Sequence, residues 1–186
     1  MRSWTLMAAV LFGNLNLWGG PACGATAGKA GTGELTIATG GKCKATVVVS
    51  STAGEFEKRA ATDLAKYIGI MCGAAPAIAD SPEAIGAAFS SQRPLLIVGQ
   101  AALQEQPKLR DDLQGVLIRK PRLRTDGIAL RRVKNRVFVA GNNDRSHYFA
   151  VAELLRQWGC RWYFLIEFGE CIPEEPALRI FYLDFV

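Results

Sequence analysis

Val137-Phe138-Val139-Ala140-Gly141, followed at once by Asn142-Asn143-Asp144-Arg145 and then by Tyr148, Val151, Ala152, Leu155 and Trp158, is the stretch from which the fold is read. Branched and aromatic residues in an unbroken run predict a strand. Gly141 lets the backbone leave the sheet, and Asn143 or Asp144 can cap a helix beginning there. The apolar residues after them recur at three- and four-residue spacing, so a helix lays that stripe on the sheet. Gly159 suits the left-handed residue that closes a helix, and Arg161 to Phe164 resume extended structure.

Upstream, Asp126 to Leu130 and Arg136 to Ala140 flank Lys134-Asn135, which predicts a hairpin with Asn135 at the left-handed corner. Pro94-Leu95-Leu96-Ile97-Val98-Gly99 is a continuous apolar run between punctuating residues and reads as a central strand. From Gln100 to Arg124 the pattern thins around Pro107 and Pro121, and the expectation is a surface connection with one helical turn. Glu55 to Ile68 places Phe56, Ala60, Leu64 and Tyr67 or Ile68 on one helical face, with Ser50, Ser51 or Thr52 as cap and Gly69 or Gly73 as stop. Pro76 to Ile78 reads as a short strand, and Ser81-Pro82-Glu83 opens a brief helix. Glu34 to Ala38 and Ala45 to Val49 read as two strands joined by a turn at Gly40-Gly41. Leu178 to Val186 is strand-like and apolar to its last residue; such a run packs against something, and the expectation is that the natural protein continues.

The first residues have a different character. Arg2 precedes an apolar stretch from Trp4 to Trp18, and Ala25-Thr26-Ala27 forms an A-x-A site. This is the layout of a secretory signal peptide over residues 1–27, too short and interrupted for a membrane span. Cys23 is a poor lipid anchor because Gly20-Pro21-Ala22 lacks an aliphatic residue. The mature chain, 28–186, is then secreted or periplasmic. Its length, about 160 residues, is one ordinary domain that buries roughly 70% of its unfolded surface without metals or staples. Cys43, Cys72, Cys160 and Cys171 could pair in three ways in an oxidising compartment; buried free thiols are the preferred reading, since cysteine is among the most buried residue types.

The formal charge is +5, from 22 Lys and Arg against 17 Asp and Glu. It is uneven: Lys108, Arg110, Arg119, Lys120, Arg122, Arg124, Arg131, Arg132, Lys134 and Arg136 face only Asp111, Asp112 and Asp126. No aromatic residue interleaves these arginines before Phe138 and no nucleic-acid motif accompanies them, so nucleic acid is not an expected partner. An acidic glycan is the functional reading of the run, and a solvated face the plain one.

The sequence holds no catalytic constellation. One histidine, His147, and cysteines without a Cys-x-x-Cys pair argue against zinc. His147 lies at the edge of the apolar stripe and reads as a packed boundary residue. Gly40-Gly41-Lys42 and Gly31-Thr32-Gly33 both lack the spacing of a phosphate loop. Glu167, Glu170, Glu174 and Glu175 could be glycosidase carboxylates, but an acidic turn around Pro173 explains them as well. The sequence therefore offers no catalytic residue, no metal ligand and no cofactor. Its candidate binding residues are Asn142, Asn143, Asp144 and Arg145, at a strand end and a helix start, with Arg161 and Trp162 as groups that can hydrogen-bond or stack on a sugar.

Taken in order, the helix from Phe56 to Tyr67 before Met71-Cys72-Gly73, the strand Leu95 to Gly99, Asp126-Gly127-Ile128, Val137 to Gly141, Tyr148 to Leu155, and Gly159-Cys160-Arg161-Trp162-Tyr163 with Ile172-Pro173 carry a resemblance. The chain resembles the N-terminal domain that precedes the barrel in family 67 α-glucuronidases and family 20 β-hexosaminidases, most closely the version in the DUF4838 group of secreted proteins. The resemblance implies an α/β (α+β) two-layer sandwich, a mixed sheet with the main helices on one face, docked onto a downstream catalytic (β/α)₈ barrel that holds the acid and base. No catalytic residue of such a family falls on this chain. Asn143-Asp144-Arg145-Ser146 departs from the pattern, where relatives tend to have Arg-Gly. The expected function is a non-catalytic accessory domain of a secreted glycoside hydrolase-like protein; the alternative is a free-standing carbohydrate-binding module for acidic glycans.

Overall fold

The computed structural model describes residues 33–119, 126–164 and 167–186. The expected signal peptide, and Lys120, Arg122 and Arg124 of the basic run, lie outside the described residues. In chain order the elements are β1 (Leu35–Thr36), β2 (Ala38–Thr39), β3 (Lys42–Cys43), β4 (Thr46–Val48), α1 (Glu55–Cys72), β5 (Ala77–Ala79), α2 (Pro82–Ser90), β6 (Leu95–Val98), α3 (Gln100–Glu105), α4 (Lys108–Arg119), β7 (Ile128–Val133), β8 (Arg136–Gly141), α5 (Asp144–Gln157), β9 (Arg161–Trp162), β10 (Glu170–Cys171), β11 (Arg179–Ile180) and β12 (Asp184–Phe185).

Six strands form one mixed sheet in the order β12-β7-β8-β6-β4-β5. The four strands from β8 to β5 run parallel, and β7 and β12 add antiparallel partners at the other end. β6 lies inside the sheet with all four residues buried, as its unbroken apolar run predicts.

Alternation along the strands sorts the core into two halves. Val47, Leu96, Val98, Leu130, Val137 and Val139 point to the face covered by α1 and α5. Val48, Leu95, Ile97, Ala129, Phe138 and Ala140 point to the opposite face, where they meet Ala88 of α2, Ala101 to Leu103 of α3, and Leu109 and Leu113 of α4. The mixed sheet with its two long helices on one face is present as expected. The expectation of two layers needs correction to three, because every central strand is apolar on both faces and both must be covered.

Several local expectations change for identifiable reasons. The turn at Gly40-Gly41 joins β2 to β3, while β1 pairs with β11 and β4 joins the main sheet. Residues 100–119 form two helices rather than a surface connection. At the β7–β8 corner Lys134 takes the positive φ of 56°. Asn135 instead donates through Nδ2 to the carbonyls of Gln92 and Arg93. The terminal apolar run splits into β11 and β12 around exposed Phe181 and Tyr182. Cys43, Cys72, Cys160 and Cys171 are all unbonded, and burial pushes the Cys160 thiol up to about 11.

Candidate functional site

Open parallel sheets bind ligands outside the carboxyl ends of their strands, where successive crossovers leave on opposite faces. Here that point lies between β4 and β6, since the chain leaves β4 into α1 on one face and leaves β6 into α3 on the other. The crevice is filled by the protein's own side chains. Gly54, the residue before α1, offers no side-chain cap, and Asp144 at the start of α5 takes over that task. Its Oδ2 accepts from Phe56 N–H at 3.3 Å and its Oδ1 from Glu57 N–H at 3.0 Å. A Cβ on Gly54 would collide with this carboxylate.

Glu57, itself 1% exposed, turns its carboxylate toward β6, where Oε1 accepts from Gln100 N–H at 2.9 Å. Gly99, at φ 66°, passes so close that a Cβ there would strike the Glu57 carboxyl. Burial raises the Glu57 carboxyl above its ordinary value; the Gln100 N–H opposes that rise and the Asp144 charge adds to it. His147 is completely buried rather than at the stripe's edge, which corrects the sequence reading. Its Nδ1 accepts from Gly141 N–H at 2.9 Å, so the neutral ring carries its proton on Nε2, which donates to the Gln100 side chain 3.4 Å away when that amide presents its oxygen rather than its nitrogen. Burial holds this imidazole down at about 4.

The sequence-predicted loop residues belong to this internal network. Asn143 caps α5 in a reciprocal box with Ser146. Asn142 Oδ1 accepts from Ser146 Oγ at 2.9 Å and borders a small hollow of about 300 Å³ with Gln100 and Arg110. The Arg145 guanidinium stands over the Phe56 ring at 5.4 Å. Together these groups fasten the starts of α1 and α5 to the strand ends.

The larger opening lies on the outer face, between α1 and α5. Arg59, Asp63, Lys66 and Tyr67 form a helical stripe on α1, and Tyr148, Val151, Ala152 and Leu155 form the facing stripe on α5. Trp162, Phe164 and Glu170, from the β9–β10 hairpin and the chain between its strands, close the end of this cleft, which has a volume of about 660 Å³. Hydrogen bonds hold its walls. Trp162 Nε1 donates to Tyr67 Oη at 3.0 Å, and the Tyr67 hydroxyl donates to Glu170 Oε1 at 2.7 Å. The Tyr67 and Trp162 rings meet edge to face at 5.3 Å. Tyr148 Oη donates to Asp63 Oδ2 at 2.9 Å, and Arg59 lies 3.8 Å from the same oxygen. Burial and the Glu170 bond push the Tyr67 hydroxyl up to about 12, so it remains a donor throughout the physiological range.

Of the two residues read from sequence as sugar contacts, the structure places Trp162 in this wall. Arg161 sits beside it, over the end of α5, donating to the carbonyls of Arg156 and Cys160 at 2.6 and 2.7 Å. The basic run is partly consumed by the fold. Arg131 pairs with Asp112 and Asp184, Arg136 with Glu105, and Arg132 donates to the carbonyls of Gly33 and Ile180. Among the described residues, no cluster of three or more His, Cys, Asp or Glu is arranged to hold a metal ion, and no helix is long and apolar enough to cross a membrane.

No protein-family model matches this chain, and no curated protein matches it.

Proposed function

We propose that this chain is a non-catalytic accessory domain of an exported glycoside hydrolase-like protein, and that it contacts carbohydrate. The observation that carries the reading is the outer cleft: aromatic rings alternate with carboxylate, guanidinium and ammonium groups around a concave surface built on two helices. The acids nearest the carboxyl edge of the sheet have other work. Asp144 holds the start of α1, and Glu57 holds the backbone at Gln100.

An accessory domain of this kind docks on a downstream barrel, and the sheet's outer edge supports that reading. Phe181, Tyr182, Phe185 and Val186, in and around β12, are all exposed, and apolar residues grouped at a sheet edge suit cover by a neighbouring domain. The acidic-glycan alternative gains less support, because Arg131, Arg132 and Arg136 are committed within the fold. The test is retention of the full chain on insoluble polysaccharides such as xylan, chitin and cellulose, with reducing ends measured in the supernatant. Retention without release of reducing ends is expected. Failure to be retained would overturn the carbohydrate reading, and turnover by the chain alone would overturn its non-catalytic part.

A further inference from the structure

We infer that the cleft between α1 and α5 is a binding site for a neutral pyranose saccharide, with Trp162, Tyr67, Tyr148 and Phe164 as its apolar walls and Asp63 and Glu170 as its hydroxyl acceptors. This rests on the carbohydrate reading above and adds the place and the ligand class.

A pyranose ring presents a flat C–H face and a rim of hydroxyl groups, so a site for it needs exposed aromatic surface beside acceptors held at fixed positions. The cleft has both. Trp162 is 38% exposed and Phe164 63% exposed, although each borders a buried floor made by Val151 and Leu155. The indole is locked rather than loose, since its N–H is already given to Tyr67. Asp63 and Glu170 each spend one oxygen on a tyrosine hydroxyl. Among the described residues their second oxygens have no hydrogen-bond partner, and a carboxylate oxygen accepts from a sugar hydroxyl without reorganising. Both acids are held by tyrosines rooted in helices, so little ordering remains for a ligand to impose.

Charge selects among saccharides. Among the described residues, the charged groups lining the cleft are Arg59, Lys66, Asp63 and Glu170, two of each sign. Arg59 is turned to Asp63, and the Lys66 ammonium lies over the Tyr67 ring at 4.9 Å. With two carboxylates as the acceptors beside the aromatic wall and no surplus of cations among the described groups, the cleft offers a uronate no net attraction and favours an uncharged sugar.

The experiment is calorimetric titration of the full chain with soluble xylo-, cello- and chito-oligosaccharides, and with oligogalacturonate at the same ionic strength. Binding to at least one neutral series and none to the uronate is expected. Trp162→Ala should weaken it by roughly tenfold or more, and Trp162→Phe, which keeps a ring face, by only about threefold. Ala152→Phe fills the cleft from α5 without touching the hydrogen bonds of its walls and should abolish binding while circular dichroism stays native. Neutral binding that survives both Trp162→Ala and Ala152→Phe would overturn the location. Binding of oligogalacturonate alone would overturn the ligand class. Absence of binding to every soluble saccharide would overturn the inference outright, while retention on insoluble polysaccharide would leave the accessory-domain proposal standing.

Discussion

Asp144 ties the starts of the two long helices together, and its removal has a calculable effect. Its carboxylate accepts from two first-turn N–H groups of α1, 87 and 88 residues away in sequence, while also lying in the first turn of α5. Loss of a cap is worth about 1 kcal/mol, and loss of a negative charge at a helix start adds about 0.3–1 kcal/mol. Glu57 N–H is sealed from water, so it finds no substitute acceptor. Relief of repulsion on the Glu57 carboxylate offsets a little of this. Asp144→Ala should therefore lose about 2 kcal/mol, or roughly 4–8 °C in Tm for a domain of this size. Asp144→Asn, which keeps one acceptor, should lose about half as much. Gly54→Ala forces a methyl group into the carboxylate, so its cost should largely vanish once Asp144 is already alanine. Urea unfolding of the four species of that cycle measures the coupling. If the two substitutions add within about 0.5 kcal/mol, or if Asp144→Ala leaves the midpoint unchanged, the cross-helix cap is not what holds α1.

The same network yields two more expected outcomes. Because His147 titrates at about 4 when folded and 6.5 when free, the unfolded chain binds a proton in that window that the native ring refuses, and stability falls as pH drops through it. Glu57, with its raised carboxyl, acts in the opposite sense, so the His147 part is read as wild type against His147→Gln: about 2 kcal/mol of extra loss between pH 7 and 5, followed by urea midpoints. Gly99→Ala combines a left-handed φ with a Cβ driven into Glu57, and should cost about 2–4 kcal/mol by thermal or urea unfolding; a loss below about 1 kcal/mol would mean that the β6–α3 turn relaxes freely.

Periodicity made the helix-bearing face legible. Val137 to Gly141, the stripe on α5 and the run Leu95 to Val98 each repeat one pattern long enough to exceed local noise, and the structure uses each as a strand or helix of the expected kind. The opposite layer was hidden because α3 has six residues and α4 has Pro107 before it, with Leu109 and Leu113 supplying its described buried residues. The cleft was hidden for another reason. Arg59, Asp63 and Lys66 lie off the apolar face from which α1 was read, and Tyr67 and Tyr148 read as members of apolar stripes. Their partners stand 85 to 103 residues away, at Asp63 and Glu170, a distance that no local period encodes. The available signal was a tyrosine at the margin of each stripe, placed to bury its ring and export its hydroxyl.

The two networks are joined through the helices they share. At the carboxyl edge of the sheet, Asp144 ties the start of α1 to that of α5, Glu57 ties α1 to the backbone after β6, and His147 ties α5 to the end of β8. Further along, Met71 of α1 and Cys160 after α5 touch at 3.7 Å between Sδ and Sγ, and the cleft lies over the span between these attachments. Its width is thus set by groups that do not line it. Asp144→Ala, at a pH and temperature where the variant remains folded, should weaken saccharide binding several-fold through loss of preorganisation, whereas a surface change such as Lys134→Ala should not. Unchanged affinity in Asp144→Ala would mean that the cleft holds its shape through the Tyr67–Glu170 and Tyr148–Asp63 pairs alone, and that the filled crevice at the strand ends serves stability without tuning the surface above it.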